Sequence, residues 1–198
     1  YAGQVITFTY PHIGNYGVND DDDESRRPFC AGVVVRELAP HHSNWRATGS
    51  LDDLLVRHGV PGISGIDTRR LTRHLRDAGA MPGAFGPADE TTLKEAALAE
   101  PGTDGVDLVA QVTTPEPYVV GDGPYRVVAY DFGIKATMLR HLGAIGTVEV
   151  VPAATPAADV LARRPDGVFL ANGPGDPAMV PYASAAIGDL LGSGVPVF

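Results

Sequence analysis

Residues 167–177 read GVFLANGPGDP, an apolar run that ends in a Gly-Pro-Gly turn. In open α/β sheets, ligands bind in the crevice beyond the carboxyl ends of the strands, where a loop leaving GVFLA would lie. Glycine lets a backbone amide approach a ligand without Cβ interference, and proline stiffens the turn while removing a competing donor. Gly173 and Gly175 are therefore candidates to present fixed N–H groups to an oxyanion or a small polar ligand. The same residues also suit a plain turn after a strand, and spacing alone leaves both roles open.

Outward from this stretch the pattern alternates. YRVVAY, TVEVV, GVFLA and VPVF read as strands, and IKATMLRHLG, TPAADVLARRP and YASAAIGDLLGSG read as helices between them. Thr155 is expected as an N-cap with Pro156 at the first helical position, where its missing N–H costs nothing. Strands alternating with helices of about ten residues imply βαβ units, a parallel sheet and a doubly wound α/β domain.

Upstream, GQVITFTYP alternates, with Ile6, Phe8 and Tyr10 on one face, and FCAGVVVREL is β-branched and apolar; both read as strands. SLDDLLVRHG reads as a helix with Ser50 as N-cap and Gly59 as its stop. GISGI reads as a short strand. Asp67 caps TRRLTRHLRDAG, with Leu71, Leu75 and Ala78 on one face, and TTLKEAALAE is a third helix. The stretch TTPEPYVVGDGP, with its prolines and glycines, reads as a linker. Three segments are thus expected: residues 1–115 as an N-terminal domain, 116–124 as linker and 125–198 as the doubly wound domain.

Composition narrows the function. The 198 residues are 44% apolar and 20% charged, an ordinary globular balance. The net charge of -9 works against binding to phosphate backbones, so nucleic acid is not expected as a partner. No apolar run reaches membrane-spanning length and no leader pattern opens the chain, so no membrane partner and a cytoplasmic location are expected. The single cysteine, Cys30, forms no internal disulfide, and no Cys/His spacing suggests a metal site. The chain opens without methionine and closes on GVPVF, a strand in mid-course, so a fragment cut at both ends is expected. A parallel sheet cut there would leave strand edges uncovered, and the second domain alone is expected to be marginal or to associate.

The motif FLANGPGDP resembles the strand-and-loop signature of class I, or triad, glutamine amidotransferases, and GPGDP after VVAYDFGIK is similar to the carbamoyl-phosphate synthase small chain family in particular. TYPHIGNYGVND, DTRRLTRHLR and DLVAQVTT resemble that family's N-terminal domain. The resemblance implies a flavodoxin-like parallel sheet behind a mixed β/α domain that contacts a large chain. It implies hydrolysis of L-glutamine and passage of ammonia to that large chain for carbamoyl phosphate synthesis, in arginine or pyrimidine supply. It assigns Gly173 an oxyanion-hole amide and places Gly175 against bound glutamine. The nucleophilic cysteine, the histidine and the glutamate are expected beyond Phe198. No catalytic residue is therefore expected in this chain, which should be inactive as it stands, and ATP and magnesium are expected on the large chain, with no cofactor here. The alternatives are a non-catalytic binding module that keeps the large-chain contacts, or another class I amidotransferase; the N-terminal motifs speak against the latter.

Other residues read as structural. Cys30 lies in an apolar run without the positive setting that makes a thiolate. His41 and His42, being adjacent, point apart, and His12 sits in a tight loop. Asp20 to Glu24 lack the alternation of a calcium loop. Arg69, Arg70, Arg73 and Arg76 give one helix a basic face, for which the resemblance suggests a large-chain interface, with guanidinium forks meeting carboxylates.

Overall fold

The computed structural model describes all 198 residues, which divide into two compact units, Tyr1–Thr103 and Asp104–Phe198. Each is α/β.

In the first unit, β1 (Val5–Thr7), β2 (Gly32–Val34) and β3 (Gly62–Ile63) form a parallel sheet in the order β1-β2-β3. Between β2 and β3 runs α1 (Leu51–Arg57), whose N-cap Ser50 accepts from the Asp53 amide as expected. After β3 come α2 (Thr68–Ala78), capped by Asp67, and α3 (Glu90–Ala99), capped by Asp89. Each cap satisfies an amide that the first helical turn leaves without a partner. Val33, Val35, Leu55 and Val60 form the core. Two expectations need correction: Phe8 and Tyr10 lie beyond β1 and are 37% and 71% exposed, and Ala78 is exposed while Leu71 and Leu75 are half-buried.

The second unit contains α4 (Val109–Val112), β4 (Tyr118–Asp131), α5 (Ala136–Gly143), β5 (Gly146–Pro152), α6 (Ala157–Ala162), β6 (Gly167–Leu170) and α7 (Pro181–Gly192). The sheet order is β5-β4-β6, and the registers Val127↔Val148 and Val128↔Val168 are parallel. Val197 bridges Val168 in the parallel sense, adding the chain's last residues beside β6. The pleat sends alternate side chains to opposite faces. Val128 and Tyr130 meet Val160 of α6 and Ala183, Ala186 and Leu190 of α7. Ala129, Val148 and Val150 meet Met138, Leu139 and Leu142 of α5. Helices thus cover both faces of a parallel sheet, the doubly wound arrangement expected from the alternation.

Residues 116–124 are not a linker. β4 begins at Tyr118, and its partners on β5 descend from Val150 through Glu149 to Val148 as the chain advances from Tyr118 to Val120. From Tyr125 onward the partners ascend again, from Gly146 to Pro152. Val148 and Val150 therefore have a pass of β4 on each side. The reversal lies at Gly121 to Gly123, where added Cβ atoms would stand 2.5 Å from the Gly146 carbonyl oxygen and 2.7 Å from the Gly146 nitrogen. Only glycine allows so close a crossing.

The division accordingly falls between Thr103 and Asp104, and DLVAQVTT packs in the second unit rather than with the first. Val109 is buried in the α6/α7 core, and Ala153 N donates to Thr113 Oγ1 at 2.9 Å. Thr155 is not a cap either: its hydroxyl donates to Pro152 O, and Pro156 takes the N-cap position without a side-chain bond.

Candidate functional site

β4 and β6 are parallel neighbours through Tyr130↔Leu170, so their carboxyl ends lie side by side. The turn Phe132–Ile134 leaves one end and the loop Asn172–Gly175 leaves the other. They touch closely. A Cβ added to Gly173 would stand 2.6 Å from Phe132 O and 3.1 Å from Phe132 Cβ, so no other residue fits that backbone path. Gly133 faces Asn172 O and Pro174 Cδ at ordinary contact distance, and its φ of 128° is one that side chains disfavour.

Gly175 is a glycine for a second reason. Its φ of 79° lies in the left-handed region that side chains disfavour. The loop's far end is pinned by Asp176, whose carboxylate accepts from Ala178 N at 2.9 Å and starts a short 3-10 turn, Pro177–Met179. Pro181 then opens α7. The glycines and Pro174 are thus held between two anchors. The N–H groups of Gly173 and Gly175 donate to no other group in the chain, and both residues are exposed. A rigid loop with two free amides at the carboxyl end of a parallel sheet can receive negative charge or a carbonyl oxygen. Beside it, Leu170 N donates to Phe198 O at 2.8 Å, so residues 197–198 reach the same level of the sheet.

One further residue builds this region and was missed in the sequence. Asp131, the last residue of β4, is 6% exposed. Its Oδ1 accepts from Gly133 N at 2.9 Å and Ile134 N at 2.8 Å, and its Oδ2 accepts from Thr114 N at 2.7 Å. The available signal was an acidic residue set directly at the end of an apolar strand run.

The remaining candidates are structural where they lie. Cys30 is half-buried against the core of the first unit. Asp20–Asp22 form a 3-10 turn capped by Asn19, and Asp22 pairs with Arg46 at 2.7 Å, so the acidic run is tied into its own loop. His12 Nδ1 stands 3.6 Å from Glu37 Oε2 at the surface. No group of three or more His, Cys, Asp or Glu side chains is placed to hold a metal ion, and no helix is long and apolar enough to cross a membrane. Arg69, Arg73 and Arg76 of α2, with Thr72 and Thr9, line an open cleft of ≈ 450 Å³ in the first unit. Arg76 pairs with Asp77, whereas no carboxylate meets Arg69 or Arg73.

Comparison with known proteins finds a separate family for each end of the chain. Residues 128–198 match the family described as glutamine amidotransferase class-I, and residues 1–85 match the carbamoyl-phosphate synthase small chain, CPSase domain. The doubly wound unit with its Gly-Pro-Gly loop is therefore of the class I amidotransferase type. Carbamoyl phosphate synthase small chains from Syntrophotalea carbinolica and Thioalkalivibrio sulfidiphilus are each 50% identical to it over the whole chain, and that of Pseudomonas aeruginosa is 47% identical. The chain belongs to the carbamoyl-phosphate synthase small chain family. It spans 57%, 57% and 58% of the length of these three curated relatives.

Proposed function

We propose that these residues form the large-chain-facing domain and the first half of the glutaminase domain of a glutamine-dependent carbamoyl-phosphate synthase. The observation that carries this reading is the pair of free amides, Gly173 and Gly175, on a loop fixed at the carboxyl end of β6. In glutamine hydrolysis a thiolate attacks the side-chain amide carbon, and negative charge develops on the carbonyl oxygen. Gly173 N–H donates to that oxygen, and Gly175 lies against the bound glutamine. A single oxyanion donor is worth about a hundred- to a thousandfold in rate.

The thiolate is not Cys30, which packs half-buried against the apolar core of the first unit. The family's nucleophile follows a strand of the kind that ends at Phe198, and its histidine and glutamate come later. These 198 residues by themselves therefore hydrolyse no glutamine. The ammonia released by the complete subunit passes to a large chain that carries ATP and magnesium and forms carbamoyl phosphate, as a ligase in arginine or pyrimidine synthesis in the cytoplasm. The exposed guanidinium groups of Arg69 and Arg73 serve the contact with that partner.

The test is steady-state glutamine hydrolysis by the complete small chain, alone and with its large chain, before and after Gly173→Ala. Turnover that falls by two orders of magnitude supports the assignment. Turnover that survives the substitution refutes it.

A further inference from the structure

Asp131 is a buried carboxylate whose hydrogen bonds hold the turn against which Gly173 lies. Its two oxygens take three backbone N–H groups from two separate segments, Thr114 on one side and Gly133 with Ile134 on the other. A buried carboxylate with several amide donors is held in one orientation, because losing any bond would strand a charge or a donor away from water. The turn it holds is the surface against which the Gly-Pro-Gly loop lies: Phe132 O and Cβ against Gly173, and Gly133 against Asn172 O and Pro174. At Gly173 the approach is too close to admit a Cβ, so a shift of the turn is passed to the loop there.

We propose that Asp131 is a positioning residue, which fixes the orientation of the Gly173 amide by clamping the Phe132–Ile134 turn beneath it. The catalytic half of this inference rests on the glutaminase role assigned to Gly173; the structural half does not. Asp131→Asn keeps the side chain's shape but turns an NH₂ group toward backbone donors on one side. The turn must then rotate or release, and the loop follows it. Sub-ångström displacement of an oxyanion donor weakens transition-state binding more than ground-state binding, so kcat falls while KM is kept.

The experiment uses the complete small chain, labelled with ¹⁵N-glycine, with glutamine hydrolysis measured on the same samples. In Asp131→Asn, the amide resonances of Gly173 and Gly175 should shift, and kcat should fall by about ten- to a hundredfold with KM changed by less than about threefold. Leu190→Ala, a buried change in the same core, should lower stability without moving those resonances or kcat per folded molecule. Should Asp131→Asn not fold, Gly133→Ala strains the same turn through its φ of 128° and should produce the same pair of changes. Unmoved glycine resonances, or resonances that move while kcat holds, would overturn the inference. Resonances that move in a protein whose unaltered form hydrolyses no glutamine would support the clamp and refute the glutaminase assignment.

Discussion

The hydroxyl of Tyr182, on α7, donates to Asp107 Oδ2 at 2.9 Å, while Asp107 Oδ1 accepts from Ala110 N and starts α4. One carboxylate thereby ties the first turn of one helix to another helix 75 positions away. Burial, then the bond to Asp107, pushes the Tyr182 hydroxyl up to about 12 from an ordinary 10.

A pH dependence follows from that shift. The folded state favours the neutral phenol more than the unfolded chain does, so the contribution is complete below pH 10 and disappears as pH rises towards 12. Tyr182→Phe should cost about 1 kcal/mol at pH 7 and show a smaller loss of stability than the unaltered chain between those pH values. Urea unfolding at a series of alkaline pH values measures the difference. Curves that remain parallel across the window would contradict it.

The two loop glycines should respond differently to alanine. At Gly173 the obstacle is a backbone oxygen 2.6 Å from the new Cβ, so the loop must move and both stability and glutamine turnover should fall. At Gly175 the nearest neighbour is a Leu108 side chain at 3.4 Å, and the principal cost is the left-handed φ, about 1–2 kcal/mol. Thermal unfolding of the two variants should rank Gly173→Ala as the more damaging.

Leu190 is fully buried between α7 and the sheet. Leu190→Ala should destabilise by about 2–5 kcal/mol, as large-to-small core changes do. Chemical denaturation followed by circular dichroism gives the value, and a loss below 1 kcal/mol would mean that α7 repacks.

Charge reversal at Arg69 and Arg73 separates folding from association. Both side chains are exposed and meet no carboxylate, so Arg69→Glu with Arg73→Glu should leave unfolding within about 0.5 kcal/mol of the unaltered chain. Affinity for the large chain should drop, most strongly at low salt, where exposed charges are least screened. Calorimetric titrations at two ionic strengths distinguish the outcomes, and an unchanged Kd would remove these arginines from the interface.

Periodicity exposed the doubly wound half because its strands are buried on both faces and its helices punctuate them regularly. Ser50 and Asp67 were legible as caps because capping is local. The crossing of Tyr118–Val120 over β5 was not, since PYVVGDGPY has the composition of a loop and its pairing partners lie about thirty residues on. Thr155 failed as a cap for a similar reason: its hydroxyl had an alternative acceptor in Pro152 O. At the site, Gly173 and Gly175 could be picked out by type and position. Asp131 could not, because its partners are backbone amides, which leave no trace in residue identity, and one of them is 17 positions upstream.

The two passes of β4 along β5 also govern when this unit can form. Every strand that pairs with Tyr118–Asp131 comes later in the chain, β5 from Gly146 and β6 from Gly167. During synthesis, β4 therefore emerges from the ribosome with both edges bare and stays so until residues 146–152 arrive to be enclosed between its passes. Closure around that late strand then turns on the glycines at 121 and 123, the two positions where the backbones pass too closely for a side chain.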